Sequence, residues 1–439
     1  MEQFYAIGLF LFVLFLLLGS GVWIGLALLG TAYVGMEFFT ARPTGDAMMT
    51  AIWRQSSSWT LTALPMFIWM GEILYRTRLS EDMFKGLAPW MTRLPGGLMH
   101  TNIAGCTVFA AVSGSSAATL LTVGKMTIPE LRRRDYPESM VIGSLAGAAT
   151  LGLMIPPSLT LIVYGVSINE SITSLFIAGI IPGLVLAGLF ALYVMIVSQL
   201  SPSYKPKAEP RISFGEKLRR SRFLIPIFLL ILLVIGSMYL GIATATEAAA
   251  IGVIGALVLA AAQGSLSRKV FFESLMGATR TSAMIALILA GAAFLTMAMG
   301  FTGLPRALAS YIGTLELSTF QLIMMLMIFY IVLGCFLDGI SIVVLTMAIV
   351  EPMIRQAGID LIWFGIFIVI VVEMAQITPP IGFNLFVLQG MTGHSMSYIA
   401  RATLPMFVIM LAMIFVIIAV PELATWLPKQ VRPVAGGAL

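Results

Sequence analysis

The sequence predicts an all-α polytopic membrane protein of two structural repeats in inverted topology. Each repeat holds a re-entrant helical hairpin and a transmembrane helix broken in its middle. Three observations predict this. First, 59% of the 439 residues are hydrophobic and 10% charged, with a mean hydropathy of +1.01. A soluble chain of this length cannot bury so much apolar surface. Second, the pairs Pro156–Pro157 and Pro379–Pro380 fall inside stretches apolar enough to span. Proline removes a backbone donor and opposes a continuous helix, so the freed carbonyls need partners inside protein or beside a bound solute. Third, a polar tip precedes each pair at nearly the same distance: 43 residues from Ser113 to Pro156, and 41 from Asp338 to Pro379.

The first repeat occupies residues 1–200. Residues 4–18 and 22–39 form a helical pair around Gly19, Ser20 and Gly21. The first run lacks the basic flank of a signal peptide and reads as a retained span. Residues 41–58 mix Asp46, Arg54 and Trp53, which suits an amphipathic helix at the interface, with an ordinary loop as the alternative. Residues 61–75 extend the next span. Residues 96–112 and 117–128 are each short of the roughly 20 residues a full crossing needs. A hairpin over about 96–130, with Ser113–Ser116 at its buried tip, resolves this. Residues 139–165 cross with the Pro–Pro break, and 172–197 cross back. Residues 201–222 carry seven basic residues among Pro202, Pro206 and Pro210 and read as a central cytoplasmic linker.

The second repeat, 223–439, follows the same plan. Residues 223–240 and 244–261 form a pair, 268–280 resemble a second interfacial helix, and 282–301 span. A hairpin over about 317–350 has Asp338 near its tip, and a broken helix runs over about 361–388. Residues 404–420 close the set, for roughly ten crossings and two hairpins. Segments assigned to the cytoplasmic side hold 19 Lys and Arg, against 6 on the other side. That bias predicts both chain ends in the periplasm, the first hairpin entering from inside and the second from outside.

Ser113, Ser115, Ser116 and Thr119 supply hydroxyl oxygens, and Gly114 permits a tight turn. Sodium wants several hard oxygen ligands, and carbonyls freed at a helix break can complete the set. The same small polar residues also serve close helix packing. Pro156 and Pro157 fit a break or a simple kink. A helix starting near Ser158 and Thr160 would offer free N–H groups to a carboxylate. Thr378, Gly382 and Asn384 bring equivalent chemistry around Pro379–Pro380, although Asn384 equally suits a cross-link between helices. Asp338 fits a sodium ligand, a helix cap or a proton carrier. Glu247 follows a turn and suits a helix start, whereas Glu373 lies within a span and is expected to pair with the second hairpin.

Other classes find little support. His100 and His394 lie in opposite halves without metal-ligand spacing, and Cys106 and Cys335 form no disulfide framework. There is no Gly-rich phosphate motif, so an ion gradient is a more natural energy source than ATP. The basic loops report orientation and do not signal nucleic-acid binding.

These residues stand in wider motifs: SGSSAAT at 113–119, GLMIPPSLTLIVYG at 152–165, LFIAGIIPGL at 175–184, ATEAAA at 245–250, FLD at 336–338 and ITPPIGFNLFV at 377–387. Over nearly its whole length the chain resembles the large membrane subunit of tripartite ATP-independent periplasmic (TRAP) transporters, the DctM-like family. One departure is Ala245, where the family often has proline. The resemblance implies sodium-driven import of an organic acid, such as a C4-dicarboxylate or sialic acid, across a bacterial inner membrane. It implies a periplasmic substrate-binding protein and a small four-helix membrane subunit as partners, and an elevator movement of the hairpin-bearing domain. Two or more sodium ions are expected, and no ATP. By motif matching, one sodium site involves Ser113, Gly114, Ser115, Ser116, Gly152 and Pro156. The other involves Gly334, Asp338, Thr378, Pro379 and Gly382. Thr119, Pro157, Ser158, Thr160, Pro380 and Asn384 are the substrate candidates. The alternatives are a stand-alone sodium/dicarboxylate symporter or exchanger, and an ion-channel module.

Overall fold

The computed structural model describes residues 2–201, 212–303, 316–379 and 382–431, and among these the regular structure is helical, with no strand. The first half contains α1 (Glu2–Gly19), α2 (Ile24–Phe39), α3 (Thr44–Ser56), α4 (Ala63–Tyr75) and α5 (Leu79–Met91). It continues with α6 (His100–Ser113), α7 (Ser116–Arg133), α8 (Glu138–Met154), α9 (Leu159–Ile168) and α10 (Ile172–Leu200). The second half contains α11 (Phe214–Ser221), α12 (Ile225–Tyr239), α13 (Ala245–Ala262), α14 (Arg268–Thr302) and α15 (Thr319–Gly334). It ends with α16 (Gly339–Gln356), α17 (Leu361–Gln376), α18 (Phe383–Thr392), α19 (Met396–Ala419) and α20 (Glu422–Gln430). Seven helical stretches among the described residues are long and apolar enough to cross a bilayer, and shorter apolar helices include α2, α15 and α17.

Both expected hairpins are present, as α6–α7 and α15–α16, and both breaks separate helices, α8 from α9 and α17 from α18. The broken helices form the interior. Every residue of α8 from Met140 to Met154 is buried, as is every residue of α17 from Trp363 to Gln376. A helix apolar all round has no solvent face and belongs in a protein interior. Small residues then allow close approach. A Cβ on Gly143 would lie 2.3 Å from the Ala402 carbonyl oxygen of α19, and one on Gly147 would meet Met406. Asn102 of α6 donates to Ser144 of α8 at 3.0 Å, and Tyr164 of α9 donates to the Leu361 carbonyl at 2.7 Å. The arms of the second hairpin pack on α17, and α16 also packs on α9, so the halves are interleaved.

A second group packs alongside: α14 runs against α2, α3 and α4, and α13 pairs with α4 and α12. Here Gly291 of α14 meets the Gly25 carbonyl of α2. On the amphipathic α3, Met49 and Trp53 are exposed, as is Trp59 just beyond it. Thr244 and Glu247 form a reciprocal capping box at the start of α13, the helix-start role expected of Glu247.

Two sequence expectations are corrected. Residues 268–280 are not a separate interfacial helix but the first third of α14, one helix of 35 residues. The segment contains no proline, Ser267 caps its start, and the chain turns only at Gly303, where φ is +69°. At about 1.5 Å per residue it is longer than the membrane core is thick. The described part of the central segment is not a free linker either. Residues 214–221 form α11, which docks on α5, while 202–211 lie outside the described residues.

Candidate functional site

The first hairpin tip rests on the first break through two glycines. α6 ends at Ser113, and Gly114 follows in the left-handed region with φ +63°, which disfavours a side chain. A Cβ on Gly114 would sit 2.9 Å from the Pro157 carbonyl oxygen, and the Leu159 N–H donates to the Gly114 carbonyl at 3.3 Å. From the other side, a Cβ on Gly152 would lie 2.7 Å from the Ser115 carbonyl oxygen and 2.8 Å from Thr119 Oγ1. The hairpin backbone and the broken helix are therefore in direct contact.

Within the tip the hydroxyls are engaged locally. Ser115 caps α7 by accepting from the Ala118 N–H at 3.4 Å, and Ser113 Oγ lies 2.7 Å from Thr119 Oγ1. Thr119 also donates to the Ser115 carbonyl at 2.8 Å. Across the break, Pro156 and Pro157 lie between α8 and Ser158, which caps α9 by accepting from the Leu161 N–H at 3.2 Å. The new helix start is thus partly satisfied within the chain, by Ser158 and by the Gly114 carbonyl. Thr160 Oγ1 is buried without a hydrogen-bond partner among the described residues.

The second tip is built differently. Asp338 is exposed and caps α16, accepting from the Ile340 and Ser341 N–H groups at 3.2 and 3.3 Å, while the Ser341 hydroxyl donates to its other oxygen. Of the roles open to Asp338, the cap is the one its contacts display. Gly334 abuts Ala375 of α17, and a Cβ on Gly339 would meet Val372, with Leu153 of α8 at 3.7 Å. Cys335 Sγ lies 3.4 Å from the Pro379 carbonyl oxygen. Thr378 spends its hydroxyl on the Met374 carbonyl at 2.6 Å, Gly382 turns closely over the Thr378 carbonyl, and Pro379 is exposed. Pro380 lies outside the described residues.

One contact joins the two halves. Asn384 Nδ2, at the start of α18, donates to Ser116 Oγ of the first hairpin at 2.6 Å. The carboxyl of Glu373 on α17 lies close to Ser116 as well. All three are buried, and Glu373 Oε2 and Asn384 Oδ1 have no hydrogen-bond partner among the described residues. This corrects the expected pairing of Glu373 with the second hairpin: its carboxyl accepts from Gln376 Nε2 of its own helix at 3.4 Å and lies close to Ser116 of the first hairpin. Glu373 was also missing from the sequence-derived site. A lone carboxylate in LIWFGIFIVIVVEMAQ was the signal available for it. Electrostatically, the junction holds two buried oxygens that lack donors among the described residues, an arrangement suited to a cation or a proton.

Residues 10–423 match the family model for the tripartite ATP-independent periplasmic transporter, DctM component. The chain belongs to the DctM family. The C4-dicarboxylate TRAP transporter large permease protein DctM of Pseudomonas aeruginosa is 30% identical over 379 residues, covering 86% of this chain and 88% of that one. The isethionate TRAP transporter permease protein DctMQ of Oleidesulfovibrio alaskensis is 29% identical, over 94% of this chain but 64% of its own length. Among solved structures, the Alcanivorax borkumensis YdaH transporter superposes with a TM-score of 0.61 over 94% of this chain and 98% of that one, at 13% identity. That likeness concerns the fold. As a DctM component, the chain is a multi-pass membrane permease of a bacterial TRAP transporter and not an enzyme.

Proposed function

We propose that this DctM component imports a small organic anion across the bacterial inner membrane, driven by sodium. The observation that carries the reading is the Ser116–Asn384–Glu373 junction, where the hairpin of one half meets the break of the other around unpartnered oxygens. Sodium, carried as co-substrate, would take carbonyl oxygens around Ser113–Ser116 and Gly152–Pro156 on one side. On the other it would take those around Gly334–Asp338 and Thr378–Gly382. The hydroxyls of the first tip already bond one another, which holds the loop in shape and leaves second lone pairs on the carbonyls. Ions at these points would bring the tips onto the breaks, and the anion would lie against Thr119, Ser158, Thr160 and Asn384. Loaded and empty states move, whereas a sodium-only state does not, which ties the fluxes together.

In the same reading the two repeats are inverted, both chain ends face the periplasm, and the hairpin-bearing body moves as an elevator against the group around α14. The relatives' names support a choice among anions of similar size, since one names C4-dicarboxylates and another isethionate, a sulfonate. The DctMQ relative supports a small membrane subunit as part of the assembly. A periplasmic substrate-binding protein completes the assembly.

Reconstitution of the subunits into liposomes with the binding protein tests this. Uptake is expected only with the binding protein present and an inward sodium gradient imposed. Equal uptake with the gradient collapsed, or without the binding protein, refutes the proposal; sustained ionic conductance without substrate would assign a channel.

A further inference from the structure

A cavity of about 260 Å3 opens between α5 and α11, lined by Lys85, Glu216, Arg219, Arg220, Arg222 and Phe223. Four of its lining side chains are cations and one is an anion. Glu216 is already held by Arg219 at 2.5 Å and by Arg220 at 2.8 Å, so it cannot neutralise the rest. Lys85 has only long contacts to Glu81 and Asp82 of its own helix, at 3.8 and 3.9 Å. Arg222 has no acidic partner among the described residues and lies 5.2 Å from the Phe223 ring. On α11 the buried Lys217 lies 5.5 Å from the Trp90 ring of α5, with no acidic partner among the described residues. The two helices that flank the cavity are fixed to each other. Trp90 Nε1 donates to Ser221 Oγ at 2.8 Å, Trp90 meets Phe214 edge-on at 6.1 Å, and Leu224 fills the space left by Gly86.

Excess positive charge in a concave, partly walled space fits a multivalent oxyanion. The surroundings decide its source. Phe214 and Leu218, one turn apart on α11, are 66% and 61% exposed. Beginning three residues after Arg222, α12 presents Ile225, Leu229 and Leu232 outward at helical spacing. A soluble anion has no use for this apolar track, whereas acyl chains would lie along it. We propose that the cavity binds the phosphate headgroup of an anionic phospholipid, with its chains beside α12. Because Lys85 comes from the first half and the other residues from the second, a bound lipid clamps α5 to the start of α12. This site is separate from the hairpin tips and does not depend on the transport reading.

The test is native mass spectrometry of the detergent-purified protein titrated with phosphatidylglycerol or phosphatidylcholine of the same chains. The expected result is preferential retention of phosphatidylglycerol. Retention should fall about ten-fold or more in Arg220→Gln/Arg222→Gln and stay unchanged in Arg133→Gln/Lys269→Gln, which removes the same charge elsewhere. Melting temperature and gel filtration check the fold. If the double variant is disturbed, Arg222→Gln alone, which breaks no ion pair, is expected to reduce retention about five-fold. Equal retention of both lipids, or equal loss in both double variants, overturns the proposal. Displacement of phosphatidylglycerol by millimolar inorganic phosphate overturns the lipid assignment in favour of a soluble anion.

Discussion

Replacing Gly152 by alanine adds one methyl group where the first broken helix touches the first hairpin. Gly152 lies inside α8, where its backbone suits any residue, and alanine is the better helix former by about 1 kcal/mol. Intrinsic propensity therefore predicts stabilisation. The tertiary contact predicts the reverse, because the new Cβ would lie 2.7 Å from the Ser115 carbonyl oxygen, 2.8 Å from Thr119 Oγ1 and 2.9 Å from the Ser115 carbonyl carbon. Two of these atoms are backbone and cannot rotate away, so the tip must retreat by about 0.7 Å to reach ordinary contact. Overpacking of this kind costs about 1–3 kcal/mol, which cancels the gain in propensity at the low end and outweighs it over the rest of the range. If sodium binding needs the tip seated, apparent sodium affinity falls by about 5- to 100-fold, with a smaller change in melting temperature because the tip can lift. Gly188→Ala is the control: it lies in α10 with nothing within 4 Å of its Cβ, so it should be neutral or slightly stabilising. Sodium titrations of uptake in proteoliposomes, paired with melting curves, read both quantities. Wild-type sodium dependence and stability in Gly152→Ala would refute the argument.

Three further outcomes are expected. A double-mutant cycle of Ser116→Ala and Asn384→Ala should show coupling of about 0.5–3 kcal/mol in unfolding, and additivity would deny the bridge. Glu373→Gln should melt higher than wild type in choline buffer, because a buried under-partnered carboxyl is removed, and should gain less from added sodium; an unchanged sodium increment would dissociate Glu373 from ion binding. Asp338→Ala should lose about 0.5–2 kcal/mol through the missing cap, while Asp338→Asn, which keeps an acceptor, should lose little. Loss of sodium-dependent uptake in the stable Asp338→Asn variant would assign its charge to coupling as well.

The hairpins and breaks were legible because their signals are local. Adjacent prolines in an apolar run, and a Ser–Gly–Ser–Ser cluster between two short runs, stop helices whatever surrounds them. The role of Asp338 was half legible, since an aspartate before a helix suits both a cap and an ion ligand. The full length of α14 was missed because Arg280 and Thr281 look like a boundary by polarity, yet nothing there obstructs helical backbone geometry. Glu373 stands out in the sequence as a charge within a span, but its neighbours depend on helix rotation that the sequence does not state.

By itself, then, the order of residues determined membrane residence, most of the succession of helices and the two interruptions. Each follows from hydropathy, proline and glycine acting over a few residues. Only the tertiary structure decided that Ser116 meets Asn384 across 268 positions, that Gly152 must stay bare beneath a hairpin carbonyl, and that α11 walls a basic cavity against α5. Such contacts depend on how helices rotate and slide against one another. That is set by the packing of the whole body, and local spacing along the chain carries no record of it.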